Sequence, residues 1–208
     1  MFVFERMSRN PITISISADA KQAMNLMQKN NLKSLPVIEK GKLVGILAKE
    51  DIICQFKCDN KGCHYKESTP IEDIMTKNVM TVKEDDYLEK AVFLVKERHI
   101  SSVPVLNKDD NLVGIITRTD IFNAFLDSLG VDNHGTRIYA IIPNFIGQIA
   151  KVTSVINNNA ISLEAISLFD TNKVNTKSLV LKVKDKNVDK LIINLKEAGV
   201  DIRDVGDI

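Results

Sequence analysis

No stretch of this chain approaches the roughly 20 consecutive apolar residues that a helix needs to cross a bilayer. Its N-terminus, M-F-V-F-E-R, also lacks the basic segment and long apolar run of a secretory leader. A soluble cytoplasmic protein is expected. Neither sign of charge dominates, 28 basic residues standing against 27 acidic ones, so no electrostatic footprint argues for nucleic acid or a membrane surface as partner. Cysteine is scarce. Cys54, Cys58 and Cys63 are an odd number crowded into one segment, unlike the disulfide framework of a small secreted scaffold. Catalytic signatures are missing too: there is no G-x-S-x-G, no H-E-x-x-H, no P-loop and no complete dinucleotide fingerprint, and the three histidines are scattered at 64, 99 and 134. What the chain does have is apolar mass, 44% of 208 residues, ample for cores in one large or two small domains.

It also repeats itself. Residues 112–120 read L-V-G-I-I-T-R-T-D and residues 43–51 read L-V-G-I-L-A-K-E-D. In each, a buried strand delivers the chain into the start of a helix. First-turn N–H groups have no partner within a helix and carry the positive end of its dipole, so such a junction can hold phosphate or a ribose hydroxyl. Thr117 and Asp120 equally satisfy a capping box, which needs no ligand. Residues 7–14 match 75–82 at an offset of 68, and at the same offset Ala20, Ala23, Met24 and Met27 fall on Leu88, Ala91, Val92 and Val95. Both sets have the i, i+3, i+4, i+7 spacing of a helix with one buried stripe. Residues 34–38 and 102–106 follow as short strands with Pro near the start. Each repeat thus reads strand, helix, strand, strand, helix. One copy has too little interior to stand alone, so the two should pack together with pseudo-twofold symmetry and two related clefts.

The duplicated h-P-V-h, the L-V-G endings with their Asp, and the M-(S/T)-x-N-x-x-T-h openings resemble a tandem pair of cystathionine-β-synthase-type (CBS) domains, a Bateman module, over residues 1–127. The resemblance implies a non-catalytic sensor of AMP, ADP, ATP or S-adenosylmethionine, with no obligatory cofactor. It places Asp120 on the ribose diol and Thr117 on ribose or phosphate. It also sets the base beside Met80 and Thr81, makes Ser101, Ser102 and Pro104 the wall, and leaves Arg118 to meet phosphate. An ionised carboxylate accepting from two adjacent hydroxyls is sound chemistry for the diol. The equivalent cleft of the first repeat would use Asp51, Lys49, Thr13, Ser34 and Pro36. Ala48 stands there in place of the hydroxyl, so the Asp120 cleft ranks first.

Between the repeats, residues 54–70 read C-Q-F-K-C-D-N-K-G-C-H-Y-K-E-S-T-P. Cys54, Cys58, Cys63 and His64 formally supply four zinc ligands, but Cys63 and His64 are adjacent and Cys54 should face the core from a helix, so the spacing argues against metal. After a connector over 128–136 the pattern changes. Strand 137–142, a turn ending at Gly147, and a helix with the stripe Phe145, Ile149, Val152 and Ile156 lead into strands 161–169 and 176–183. A second helix carrying Val188, Leu191, Ile192 and Leu195, closed by Gly199, precedes the last strand, 200–205. This order, βαββαβ, is the ferredoxin-like arrangement.

The expected fold is therefore mixed α/β (α+β): first CBS repeat 1–57, linker 58–70, second repeat 71–127, connector 128–136 and a ferredoxin-like domain 137–208. That last domain resembles an ACT domain, which implies homodimerisation and an amino-acid effector near Asn144 and Gly147. The whole arrangement is similar to the acetoin-utilisation B family of bacterial regulatory proteins, implying a link to acetoin or acetate metabolism. Two other readings stand beside the sensor: an enzyme subunit of carbon metabolism, and a purely structural oligomerisation module whose Thr117 and Asp120 only cap a helix.

Overall fold

The computed structural model describes residues 1–54, 57–59, 62–64, 68–131 and 134–207, with 57–59, 62–64 and 207 described by their backbone alone. Much of the linker, residues 132 and 133 of the connector, and the side chains of Cys58, Cys63 and His64 lie outside that description. The chain divides into two compact units, Met1–Phe122 and Asn123–Ile208.

In the first unit the order is β1 (Ser8–Arg9), β2 (Ile14–Ser15), α1 (Ala20–Lys29), β3 (Ser34–Glu39), β4 (Lys42–Ala48) and α2 (Lys49–Ile53). A hairpin of β5 (Lys57–Asp59) and β6 (Gly62–His64) follows, then α3 (Ile71–Ile74), β7 (Val82–Lys83), α4 (Leu88–Arg98), β8 (Ser102–Leu106), β9 (Leu112–Thr117) and α5 (Arg118–Ser128). Local chemistry starts α1. The Asp19 carboxylate accepts from Gln22 N–H at 2.8 Å while Gln22 Oε1 accepts from Asp19 N–H at 3.1 Å, a reciprocal cap. The helix then buries Ala20, Ala23, Met24 and Met27 against Leu35, Val37 and Leu47 of β3 and β4. Its counterpart departs from the expected stripe: α4 buries Leu88 and Ala91, but Val92 is exposed. Cys54 is likewise exposed rather than core-facing, because α2 stops at Ile53 and leaves Cys54 as its C-cap.

Besides the β5-β6 hairpin, the described strands of this unit form two sheets, β2-β3-β4 and β1-β9-β8-β7. Pro36 and Pro104 sit inside β3 and β8 without breaking them, since β2 and β7 pair only with the residues that follow each Pro. The four-stranded sheet contains a crossing. β1, the opening of the first repeat, pairs with β9 of the second (Ser8↔Ile115, Arg9↔Gly114). In the reverse sense Thr76 exchanges two backbone hydrogen bonds with Ile46 of β4, at 3.0 and 2.9 Å. Glycine makes both crossings possible. A Cβ on Gly114 would stand 2.4 Å from Met7 Sδ, and one on Gly45 2.4 Å from Met75 Sδ, so each opening Met occupies the space of a missing side chain on the other repeat.

The second unit runs β10 (Thr136–Pro143), α6 (Gln148–Asn158), β11 (Leu163–Asp170), β12 (Thr176–Val183), α7 (Asp189–Glu197) and β13 (Asp201–Asp207). Its sheet has the order β11-β12-β10-β13, all neighbours antiparallel. This is the ferredoxin-like βαββαβ topology. Ile138, Ala140 and Ile142 of β10, with Leu179, Leu181 and Val183 of β12, form one core with Val152 and Ile156 of α6 and Leu191 and Leu195 of α7. Phe145 does not join the α6 stripe. The helix begins only at Gln148, which leaves Phe145 in the preceding turn and 63% exposed.

Candidate functional site

Both repeats end with a strand that runs out three residues before an Asp. In the second the cap is complete: Asp120 Oδ2 accepts from the N–H and the hydroxyl of Thr117, each at 2.7 Å, and Thr117 Oγ1 accepts from Asp120 N–H at 3.2 Å. In the first, Ala48 has no hydroxyl, and Asp51 Oδ2 receives only the Ala48 N–H at 2.8 Å. Two cavities open beside these junctions. The first cleft, about 540 Å³, is lined by Thr117, Arg118 and Thr119 together with residues 8–12 and 31–34. The second, about 390 Å³, is lined by Asp51 with Ile46, Val79, Met80 and Pro104. Both volumes suit a small molecule, for which sites of roughly 300–1,000 Å³ are usual.

This grouping corrects the expected one. Thr117 was expected beside Met80 and Pro104, and Asp51 beside Pro36; instead Thr117 shares its cleft with Pro36 and Asp51 shares its cleft with Met80 and Pro104. The crossing is the cause: β1 carries the opening of the first repeat to the end of β9, and the Thr76–Ile46 bridge carries the opening of the second to the end of β4. Asp120, Thr13 and Lys49 line neither cleft, and Thr81 faces a separate recess with Lys42 and Asp110. The missing hydroxyl at position 48 also acts opposite to expectation. Without it Asp51 is left facing the second cleft, whereas Thr117 engages Asp120 in the helix cap.

The two clefts share a wall of Ser34, Glu50, Ser101, Ser102 and Arg118. Ser34 and Ser102 are repeat equivalents, both buried, and their hydroxyls meet at 2.6 Å. Arg118 is already engaged, donating through Nε to Ile100 O at 3.0 Å and through Nη2 to His99 O at 2.8 Å. It steadies the chain where His99 leaves α4 with φ of 54°. Residues that sequence reasoning passed over include Arg9, Asn10, Ile12 and Lys33 in the first cleft and Asn78 and Val79 in the second. The repeat held the signal for some of them, since Asn10 and Ile12 are the equivalents of Asn78 and Met80 at the offset of 68.

A model of the CBS domain matches residues 3–56 and 71–127, more than half of the chain. The chain belongs to the CBS domain family. CBS domain pairs are in general regulatory, non-catalytic modules. Among curated relatives, a homoserine O-acetyltransferase of Methanosphaera stadtmanae is 36% identical over 57% of this chain, and an L-aspartate semialdehyde sulfurtransferase of Methanocaldococcus jannaschii is 34% identical over 57%. This chain spans less than a quarter of the length of either, 23% and 22%. Among solved structures, the CBS domain pair of protein MJ0100, in complex with 5'-methylthioadenosine and S-adenosyl-L-methionine, is 33% identical. It covers 60% of this chain and 95% of its own, with a TM-score of 0.52. CBSX2 in complex with AMP is 25% identical, covering 60% and 96% with a TM-score of 0.51. The Vibrio cholerae protein AcuB, named for acetoin utilization, is also 25% identical, covering 64% and 95% with a TM-score of 0.54.

Elsewhere the other site expectations find these surroundings. Gly147 caps α6 with φ of 91°, and a Cβ there would meet nothing within 4 Å, so its role is the turn and not close packing. Asn144 N–H donates to Asn175 O at 2.8 Å, tying that turn to the β11–β12 turn. Among the described residues no group of three His, Cys, Asp or Glu side chains could hold a metal ion, and no helix is long and apolar enough to cross a membrane.

Proposed function

We propose that this chain is a non-catalytic cytoplasmic regulator that binds an adenosine-containing ligand in its CBS clefts and passes the event to its C-terminal unit. Asp51 carries the reading. Its Oδ2 takes one backbone hydrogen bond, its Oδ1 has no hydrogen-bond partner among the described residues, and it lines a cleft whose walls include Ile46, Val79, Met80 and Pro104. A ribose diol needs such a free carboxylate oxygen, and a purine needs such apolar walls. The shared Ser101, Ser102, Ser34 and Arg118 add polar contacts; Thr117 and Pro36 serve the first cleft. The 5'-methylthioadenosine, S-adenosyl-L-methionine and AMP complexes of the relatives support the ligand class.

For the C-terminal unit we propose an ACT-type role, homodimerisation with an amino-acid effector at the turn bearing Asn144 and Gly147. The βαββαβ sheet and the left-handed Gly147 support it. A connection with acetoin or acetate metabolism rests on the likeness to AcuB.

The test is a thermal-shift titration of wild type, Asp51→Ala and Asp120→Ala with AMP, ADP, ATP and S-adenosylmethionine. A ligand at a hundredfold excess over Kd stabilises by about 2.7 kcal/mol. At least one of the four raises the wild-type midpoint, and Asp51→Ala removes the shift of whichever ligand occupies the second cleft. No shift from any of the four overturns the reading.

A further inference from the structure

The two clefts differ in charge. Arg118 and Glu50 belong to both and offset each other. What is peculiar to each then decides its field. The first cleft adds Arg9 and Lys33, both exposed and neither in an ion pair among the described residues, while the second adds the carboxylate of Asp51 and the imidazole of His99. Asp120 stands behind Thr117; counted with the first cleft, it still leaves that cleft positive. Arg118 does not set the contrast, because it lines both clefts; its hydrogen bonds to the His99 and Ile100 carbonyls hold it in place and leave its charge intact.

We propose that the clefts divide adenosine ligands by charge, the first taking phosphorylated adenosine and the second taking an uncharged or sulfonium-bearing adenosyl compound. The inference rests on the cleft reading above and adds which ligand class goes where. Phosphates in the second cleft would meet the Asp51 carboxylate without the two cations peculiar to the first cleft, and like charges repel. S-adenosylmethionine carries one net positive charge at neutral pH, so the Asp51 carboxylate attracts it. Its thioether-derived chain also suits the apolar side formed by Ile46, Val79 and Met80. In the first cleft Arg9 and Lys33 stand on two different segments, residues 8–12 and 31–34, so phosphate can be met from two sides.

Calorimetric titration of the full chain decides the matter. ATP and S-adenosylmethionine each saturate one site per chain, and the S-adenosylmethionine affinity of ATP-saturated protein stays within about threefold of that of free protein. Arg9→Glu with Lys33→Glu weakens ATP at least about tenfold and leaves S-adenosylmethionine unchanged. Asp51→Asn, which keeps the oxygen that accepts from Ala48 N–H, weakens S-adenosylmethionine at least about tenfold and leaves ATP unchanged. Mutual displacement of the two ligands, or ATP binding that responds to Asp51→Asn and ignores the Arg9/Lys33 reversal, overturns the partition alone. Wild type that binds neither ligand overturns the cleft reading together with it.

Discussion

A buried ammonium without a partner is costly, and Lys182 is one: it is 2% exposed, and its Nζ has no hydrogen-bond partner among the described residues. Leu181 and Val183 on either side belong to the helix-facing core, so strand alternation sends Lys182 to the other face, where it stands across from Arg137 and Ala165. Taking an ammonium out of water costs several kcal/mol unless a counter-charge offsets it. Lys182→Met keeps the length and removes the charge, and it is expected to stabilise the fold by about 1–3 kcal/mol. Urea denaturation of the two proteins checks this, and a lower midpoint for the variant would reveal a partner. Sequence alone reads Lys182 as an ordinary polar position on an alternating strand, because nothing local says that the second face of a sheet is covered. Asp51 teaches the same lesson from the other side. Its Ala48 looks like a lost contact until the geometry shows the carboxylate left free by it.

At the scale of elements, α4 begins without a capping side chain on Tyr87, and one residue earlier Asp86 ties the helix to the strand before it. Its carboxylate accepts from Lys83 N–H and from Lys90 Nζ, each at 2.7 Å. Partial burial pushes the acid up, but these hydrogen bonds and the two lysine charges outweigh it and hold Asp86 below its ordinary value of 3.8. A lowered acid stabilises the fold while ionised: the contribution is complete above the ordinary value and disappears as pH falls through the lowered one. Asp86→Asn is therefore less stable than wild type at pH 7 by no more than about 0.5 kcal/mol, since the pair with Lys90 faces water. Urea midpoints converge as pH falls through the lowered Asp86 pKa, and a gap that persists at the acid limit would assign the effect to shape instead of charge. The elements themselves were largely legible, because α1 and β12 carry clean 3.6- and 2-residue periods that survive any packing. The crossing of β1 and the Thr76 bridge to the opposite repeats was not. β1 is two residues long, too short to show a period, and its partner β9 lies more than a hundred residues away. Met7 and Gly114, each unremarkable in its own segment, only acquire meaning as a pair.

For the molecule as a whole, the proposed dimer can be assigned to one edge of the C-terminal sheet. β11 and β13 are its two edges. β13 carries Asp201, Arg203, Asp204 and Asp207, the charged residues that keep an edge from pairing with another chain. β11 instead exposes Ile166, Leu168 and Phe169, at 37%, 45% and 41%, beside backbone groups that no neighbouring strand in the sheet satisfies. An edge of eight residues that sets three exposed apolar side chains between Glu164 and Asp170 is a template for a second copy, and joining two such edges would make one continuous eight-stranded sheet. Leu168→Lys places a charge in the middle of that edge and should shift the chain to monomer in light scattering coupled to size exclusion. Arg203→Glu on the opposite edge should leave the mass unchanged. Because the substitution lies in Asn123–Ile208 and both clefts lie in Met1–Phe122, the monomeric variant should still bind its adenosine ligands. Its affinity then measures the coupling: a change of about 5- to 150-fold corresponds to the 1–3 kcal/mol usual between linked sites. Equal affinity in monomer and dimer would mean that ligand binding and assembly are independent, and the transmission part of the proposed function would fall while the cleft reading stood.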